Sequence, residues 1–88
     1  MTDDLEHCFV CGRSPVQIHH CIFGTRRKMS DSDGLIVPLC MDHHIGSKEG
    51  VHGQNYALRR ALMQQAQLVY EKTHTREQFM ERYGKNYL

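Results

Sequence analysis

The chain has 88 residues, of which 40% are hydrophobic, and a formal net charge of +1. This length allows one small domain with a marginal core, and no apolar run approaches the roughly 18 residues that a membrane-spanning helix needs. The near-zero net charge excludes a polycation, so any binding of nucleic acid must use local patches or metal. The acidic start at residues 1–6 has no apolar segment, which predicts no secretory signal and a cytoplasmic protein.

Two strands are predicted in the first half of the chain. The predicted elements there are, in chain order, a β-prone run at residues 16–23 that ends at Gly24, a polar and basic loop at 25–34, a return strand at 35–37 closed by Pro38, and a short helix from near Met41. Two short strands around a polar loop predict a β-hairpin with a long tip.

The second half is predicted to be helical. A long helix is expected at about residues 54–72 and a shorter one at 76–83, which Thr75 and Gln78 would cap and Gly84 would end. Apolar residues at helical spacing predict the buried face of the long helix. They are Leu58, Ala61, Leu62, Ala66 and Val69.

Histidine and cysteine stand out in the composition, with seven and four residues. Without a secretion signal, disulfides are disfavoured and metal binding is the better use of Cys beside His. Cys8-x2-Cys11 and, after a gap of 28 residues, Cys40-x2-His43 form two matched pairs. Together they predict a complete Cys3His structural zinc site. Reduced structural thiols beside surface histidines are the alternative, and the leftover Cys21 is predicted to be a buried small hydrophobe.

Four further histidines, His19, His20, His44 and His52, are left once that site is satisfied. Adjacent side chains on a strand point to opposite faces, so His19 and His20 are predicted to have different roles. His44 lies about 100° around a helical turn from His43 and faces away from the zinc site. Imidazoles around a second metal with open positions would be a catalytic arrangement, whereas hydrogen-bonded or solvated histidines are the alternative. No pattern includes His7 or His74, and both are expected at the surface.

These elements together predict an α+β fold. We expect a single domain over residues 1–88, with a small, zinc-stapled, treble-clef-like core at 8–53 and a helical extension at 54–88. The core would contain the β-hairpin and the short helix. In the extension, Phe79 and Tyr83 are four residues apart and are predicted to face the core together.

By motif, residues 8–53 resemble the HNH endonuclease family of the zinc-stapled ββα-metal type. The matching features are Cys8-x2-Cys11-Gly12, the strand bearing Ile18-His19-His20, the return strand at 35–39, and Cys40-x2-His43-His44. The turn at 50–53 and the ending at 82–88 are similar to those of small phage- or prophage-encoded HNH proteins. The resemblance implies a metal-dependent endonuclease that hydrolyses DNA phosphodiester bonds with one catalytic divalent ion, Mg²⁺, Mn²⁺ or Zn²⁺.

The family pattern also implies residue roles. His19 would bind the catalytic metal, His20 would be the general base, and His44 would be a second metal ligand. Where family members often supply a last His, this chain has Lys48, and His52 is the nearest substitute.

A second position of the family motif also departs from the pattern. The middle Asn is missing, and Asp33 stands near its place. Whether Asp33 or His52 completes the metal shell is left open.

The partner that the resemblance implies is non-specific DNA, in a bacterial host cell. Candidate phosphate contacts are the basic residues of the hairpin tip and of the long helix, namely Arg26, Arg27, Lys28, Arg59 and Arg60. A solvated surface is the alternative for all five. So few contacts predict weak, salt-sensitive binding, and a homodimer is left open.

Two other functions are compatible with the motifs. A non-catalytic zinc module that binds nucleic acid or a protein would need only the Cys3His set. A scaffold subunit would pair through its helical tail. One metal per chain would favour the module, and two would favour the nuclease.

Overall fold

A two-stranded antiparallel hairpin lies at the centre of the fold, which a computed structural model describes for residues 1–88. Strand β1 (Val16–His20) pairs with β2 (Ile36–Cys40), with Val16 opposite Cys40 and His20 opposite Ile36. The strand bounds differ from the prediction, since β1 ends three residues early and β2 continues through Pro38. A proline is tolerated there because both strands of a two-stranded sheet are edge strands.

Helices complete the predicted α+β class, which the structure confirms. The helical elements are a 3-10 turn (Gly24–Arg26), α1 (Arg27–Ser32), α2 (Met41–Ile45), α3 (Tyr56–Tyr70) and α4 (Arg76–Tyr83). None of them combines the length and the apolar character that a bilayer crossing requires.

The hairpin tip is helical rather than the polar loop expected at residues 25–34. Ser30 of α1 is fully buried, accepts a hydrogen bond from the Ile22 backbone N–H (3.2 Å) and donates one to the Leu35 carbonyl (2.7 Å). These bonds attach α1 to both sides of the hairpin. The helix therefore depends on hydrogen bonds between the Ser30 side chain and backbone groups 8 and 5 positions away, which the polar composition of the segment does not reveal.

The two long helices follow their predicted positions closely. Helix α3 spans Tyr56–Tyr70 within the expected 54–72, and α4 has the predicted bounds. The predicted capping box of Thr75 and Gln78 is present, and Gly84 ends α4 with a φ of +77°.

The buried face of α3 differs in part from the predicted stripe. Ala61 is exposed, whereas Gln67 is fully buried. The Gln67 amide donates to Glu71 Oε2 and Asn86 Oδ1, both at 2.7 Å, and accepts from the Tyr87 N–H at 2.8 Å. These bonds satisfy the buried amide and hold the C-terminal segment on α3.

The core lies between the hairpin and the two long helices. Its buried hydrophobic residues are Cys8, Cys21, Ile22, Leu35, Val37, Leu39, Cys40, Val51, Leu62, Ala66, Tyr70, Phe79 and Tyr83. The predicted inward placement of Phe79 and Tyr83 is confirmed, at 0% and 3% exposed. Of residues 1–15, only Cys8 is buried, so the N-terminal segment contributes little to this core.

Asp33 fastens α4 to the end of α1. Its carboxylate accepts two hydrogen bonds from the Arg82 guanidinium, at 2.6 and 3.1 Å, and a third from the Tyr83 hydroxyl. The Arg26 guanidinium donates to the Arg82 carbonyl at 2.9 Å. Asp33 therefore has a structural role and does not face the histidines.

Candidate metal centres

The first candidate centre contains the four residues of the predicted Cys3His set. The Cys11 and Cys40 sulfurs lie 3.8 Å apart, and His43 Nδ1 lies 3.7 Å from Cys8 Sγ and 3.2 Å from Cys40 Sγ. Tetrahedral zinc with bonds of about 2.3 Å to sulfur and 2.0–2.1 Å to nitrogen gives edges of about 3.8 and 3.6 Å. The donor atoms fit that geometry, so Cys8, Cys11, Cys40 and His43 could hold a metal ion.

Local structure explains this arrangement. Backbone bonds from Cys8 to Arg13 and from Gly12 to Cys8, each 2.8 Å, close the N-terminal turn, and Phe9 N–H donates to Pro38 O at 2.8 Å. The last bond brings the turn to the end of β2, where Cys40 begins the junction with α2. One helical turn then brings His43 back to Cys40.

Two of the three thiols of this cluster are tuned toward the thiolate, which is the form that binds metal, whereas burial raises the pKa of the third, Cys40. Burial raises the pKa of Cys8, but backbone N–H groups of Cys40, Cys11 and Val10 outweigh it and lower that pKa to about 6. The Arg13 guanidinium donates to Cys11 Sγ at 3.2 Å and lowers the pKa of Cys11.

Cys21 stands apart from this cluster. It is fully buried, as predicted, and burial raises the pKa of its thiol to about 12. His7 and His74 are both exposed, in agreement with the sequence analysis.

The second candidate centre contains three histidines from three different elements. His19 lies on β1, His44 on α2, and His52 in the loop that precedes α3. Their donor nitrogens lie within 4.8 Å of one another. Lys48, where the HNH resemblance would place a last His, is exposed and outside this cluster.

His19 is the most unusual side chain of the cluster. It is 1% exposed, and neither ring nitrogen has a hydrogen-bond partner. Burial, together with the neighbouring His44 and His52, lowers the pKa of His19 to about 3, so its ring is neutral near pH 7. A buried imidazole without a partner is costly. A metal ion at this position would satisfy its lone pair, so the donor set fits a divalent ion.

Gln17 fixes the tautomer of His44 that suits metal binding. His44 Nδ1 donates to Gln17 Oε1 at 2.7 Å, which leaves Nε2 as the nitrogen with a free lone pair. Such outer contacts fix the tautomer of metal-binding histidines. The sequence analysis missed Gln17, although its position two residues before His19 places both side chains on the same strand face.

His20 borders the cluster but has different contacts. Its Nε2 lies 3.2 Å from Asp31 Oδ1 on α1, and the imidazole side chain is largely buried while the carboxylate is exposed. With Nε2–H donating to Asp31, Nδ1 is the nitrogen that can accept a proton. Asp31, rather than Asp33, is therefore the carboxylate beside the histidines, and the sequence analysis missed it because it expected a loop there.

A cavity of about 400 Å³ opens onto the three-histidine cluster and His20. Its lining consists of Ile18, His19, His20, Phe23, Gly24, Arg27, His44 and His52. A second depression shares His20 and Arg27 with it and continues to Lys28, Asp31 and Ser32. A continuous surface thus leads from the three histidines to two exposed cations.

The other predicted basic contacts are placed differently. Arg60 is exposed on α3. Arg26 donates to the Arg82 carbonyl, and Arg59 donates to the carbonyls of Val51 and Gly53. The guanidinium donors of Arg26 and Arg59 are thus partly used within the chain.

Comparison with known proteins gives no assignment. The chain matches no family model, no curated protein and no solved structure. The interpretation of the two centres therefore depends on their geometry and chemistry.

Proposed function

We propose that the protein is a metal-dependent nuclease of the HNH type that hydrolyses DNA phosphodiester bonds. The observation that carries the proposal is the buried, unpartnered His19 in a three-histidine cluster, with His20 and its carboxylate partner at the rim. A structural metal site is closed by four protein ligands, whereas a catalytic one keeps positions open. The first centre has four protein donors and the second has three.

In this proposal the two centres have separate tasks. Zinc at Cys8, Cys11, Cys40 and His43 stabilises the fold. His19, His44 and His52 hold a divalent ion, Mg²⁺, Mn²⁺ or Zn²⁺. When bound, that ion would neutralise phosphate charge and stabilise the leaving oxygen of the broken bond.

His20 is the proposed general base. A neutral imidazole can accept a proton from water near pH 7. The Asp31 carboxylate accepts the His20 Nε2–H, which orients the ring and leaves Nδ1 as the nitrogen that can accept a proton. Removal of a base typically costs 10²–10⁴-fold in rate.

Arg27 and Lys28 are the proposed phosphate contacts nearest to the reacting groups, because both line the surface that continues from His20. With so few cations, binding would be weak, independent of sequence and sensitive to salt.

The test combines metal content with nicking of a supercoiled plasmid in Mg²⁺, Mn²⁺ and Ni²⁺. We expect His20→Ala to lose at least about 100-fold in cleavage and to retain two metals per chain. His19→Ala and His44→Ala should lose cleavage together with one metal. His74→Ala, an exposed histidine outside both centres, is the matched control.

Three results would contradict the proposal or its assignments. If His20→Ala cleaves normally and His19→Ala keeps both metals, the two roles are wrongly assigned. If all variants cleave like the parent, the nuclease proposal is wrong. A parent that binds one metal and does not cleave would be the non-catalytic zinc module.

A further inference from the structure

His52 is the donor of the three-histidine cluster with the weakest support from its own element. His19 is held by strand pairing and His44 by a helix, but His52 is exposed and belongs to no helix or strand. Its backbone N–H donates to the His44 carbonyl at 3.0 Å. That single bond fixes one side of the residue, so the orientation of the ring depends on what holds the peptide units around it.

Arg59 holds the peptide units on both sides of His52. Its Nε donates to the Val51 carbonyl at 2.8 Å, and its Nη2 donates to the Gly53 carbonyl at 3.3 Å. One guanidinium thus bridges the residues immediately before and after His52.

The guanidinium is itself held in place. Arg59 begins the second turn of α3, where its backbone N–H donates to the Asn55 carbonyl at 3.1 Å, and its side chain is partly buried. Its Cζ lies 4.9 Å from the centre of the Tyr56 ring. A planar guanidinium held between two carbonyls and an aromatic face loses little further conformational entropy when it forms its hydrogen bonds. These contacts make Arg59 a rigid support that extends from the helix to the loop.

We propose that Arg59 is a positioning residue that holds His52 in the orientation required for metal binding. The inference rests on the proposed metal site of His19, His44 and His52. It reassigns a residue whose charge the sequence suggested for DNA binding. Outer contacts of this kind change metal affinity by about 10–100-fold.

Loss of the Arg59 charge and loss of its carbonyl contacts would change metal affinity in opposite directions, which makes the inference testable. A nearby cation repels a divalent ion, so removal of the Arg59 charge alone would tighten metal binding. Loss of the two carbonyl contacts would free His52 and weaken binding. The sign of the change therefore separates the two roles.

The experiment measures Ni²⁺ binding by calorimetry in protein that carries one equivalent of zinc, because imidazole ligands favour Ni²⁺. We expect Arg59→Ala to bind Ni²⁺ about 10-fold or more weakly. Arg59→Lys, which offers one point donor instead of a fork, should be intermediate. Arg60→Ala removes an exposed cation from the next position of α3 and should bind Ni²⁺ like the parent.

A double-mutant cycle with His52→Ala tests the route of the effect. If Arg59 acts through His52, Arg59→Ala should change Ni²⁺ affinity by less than about 2-fold when His52 is already absent. Equal losses in both backgrounds would indicate general damage to the fold and overturn the inference. Unchanged or tighter binding in Arg59→Ala would also overturn it. A parent that binds no Ni²⁺ beyond its zinc would instead refute the proposed metal site itself.

Discussion

Replacement of Cys40 by Ser is expected to unfold the protein. Cys40 is 6% exposed and lies where β2 ends and α2 begins, so it joins the hairpin, His43 and the N-terminal turn. Serine keeps the size of the side chain but removes the thiolate. Loss of one donor from a four-ligand site removes most of the metal's contribution to folding.

The magnitude follows from the size of the chain. At about 0.05–0.15 kcal/mol per residue, a domain of 88 residues has a net stability of about 4–13 kcal/mol. A structural zinc contributes about 10–16 kcal/mol in small domains. Hydrophobic packing cannot replace the metal at the N-terminal turn, because Cys8 is the one buried residue among residues 1–15. Metal loss should therefore remove a free energy comparable to or larger than the whole net stability.

The assay is far-UV circular dichroism with thermal melting, alongside zinc content. We expect Cys40→Ser, and the parent after chelation, to lose the cooperative transition. Cys21→Ala is the matched control, since Cys21 is equally buried but outside the cluster; it should retain zinc and lose only about 1 kcal/mol. A zinc-free Cys40→Ser protein that melts cooperatively with parental helix content would refute the reasoning.

Two further predictions concern the supports around the centres. Asp33→Ala should lower the free energy of unfolding in denaturant by about 2–3 kcal/mol, because it breaks a charged pair and leaves the Tyr83 hydroxyl without its acceptor. Asp31→Ala, at an exposed carboxylate, should lower it far less. Equal losses in the two variants would contradict the structural role of Asp33. A Cβ on Gly53 would overlap the Gly46 carbonyl oxygen, so Gly53→Ala should displace His52 and weaken Ni²⁺ binding about 10-fold or more in calorimetry. Ser47→Ala in the same loop is its control, and parental affinity in Gly53→Ala would contradict that account.

Much of the fold was predictable because its signals are local. Spacing alone predicts one cluster from the pairs Cys8-x2-Cys11 and Cys40-x2-His43. The bounds of α4 follow from its capping residues. Alternation along β1 predicted different roles for His19 and His20, and their contacts do differ, since His19 lies in the three-histidine cluster and His20 bonds to Asp31. Each ligand pair, each helix cap and the strand alternation depends on residues within a few positions of one another, and the chemistry of zinc joins the two pairs.

The parts that sequence analysis missed depend on side-chain hydrogen bonds between elements, which no periodic pattern encodes. Helix α1 forms where a loop was expected because Ser30 bonds to both sides of the hairpin. Burial of Gln67 depends on Asn86 and Tyr87, 19 and 20 residues away. The hydrogen bonds from Arg59 to the carbonyls around His52 depend on how α3 packs against that loop, and residue periodicity does not predict that packing.

The attachment of α4 to Asp33 also bears on how the two halves of the chain depend on each other. All seven candidate metal donors lie at or before His52, whereas Arg82 and Tyr83, which anchor Asp33 at the end of α1, lie some thirty residues later in the sequence. The helix that carries Arg27 and Asp31 is therefore anchored by a segment that contributes no candidate metal donor. Detachment of α4 would loosen the surface beside His20 while all seven donors stay in the part of the chain that precedes it.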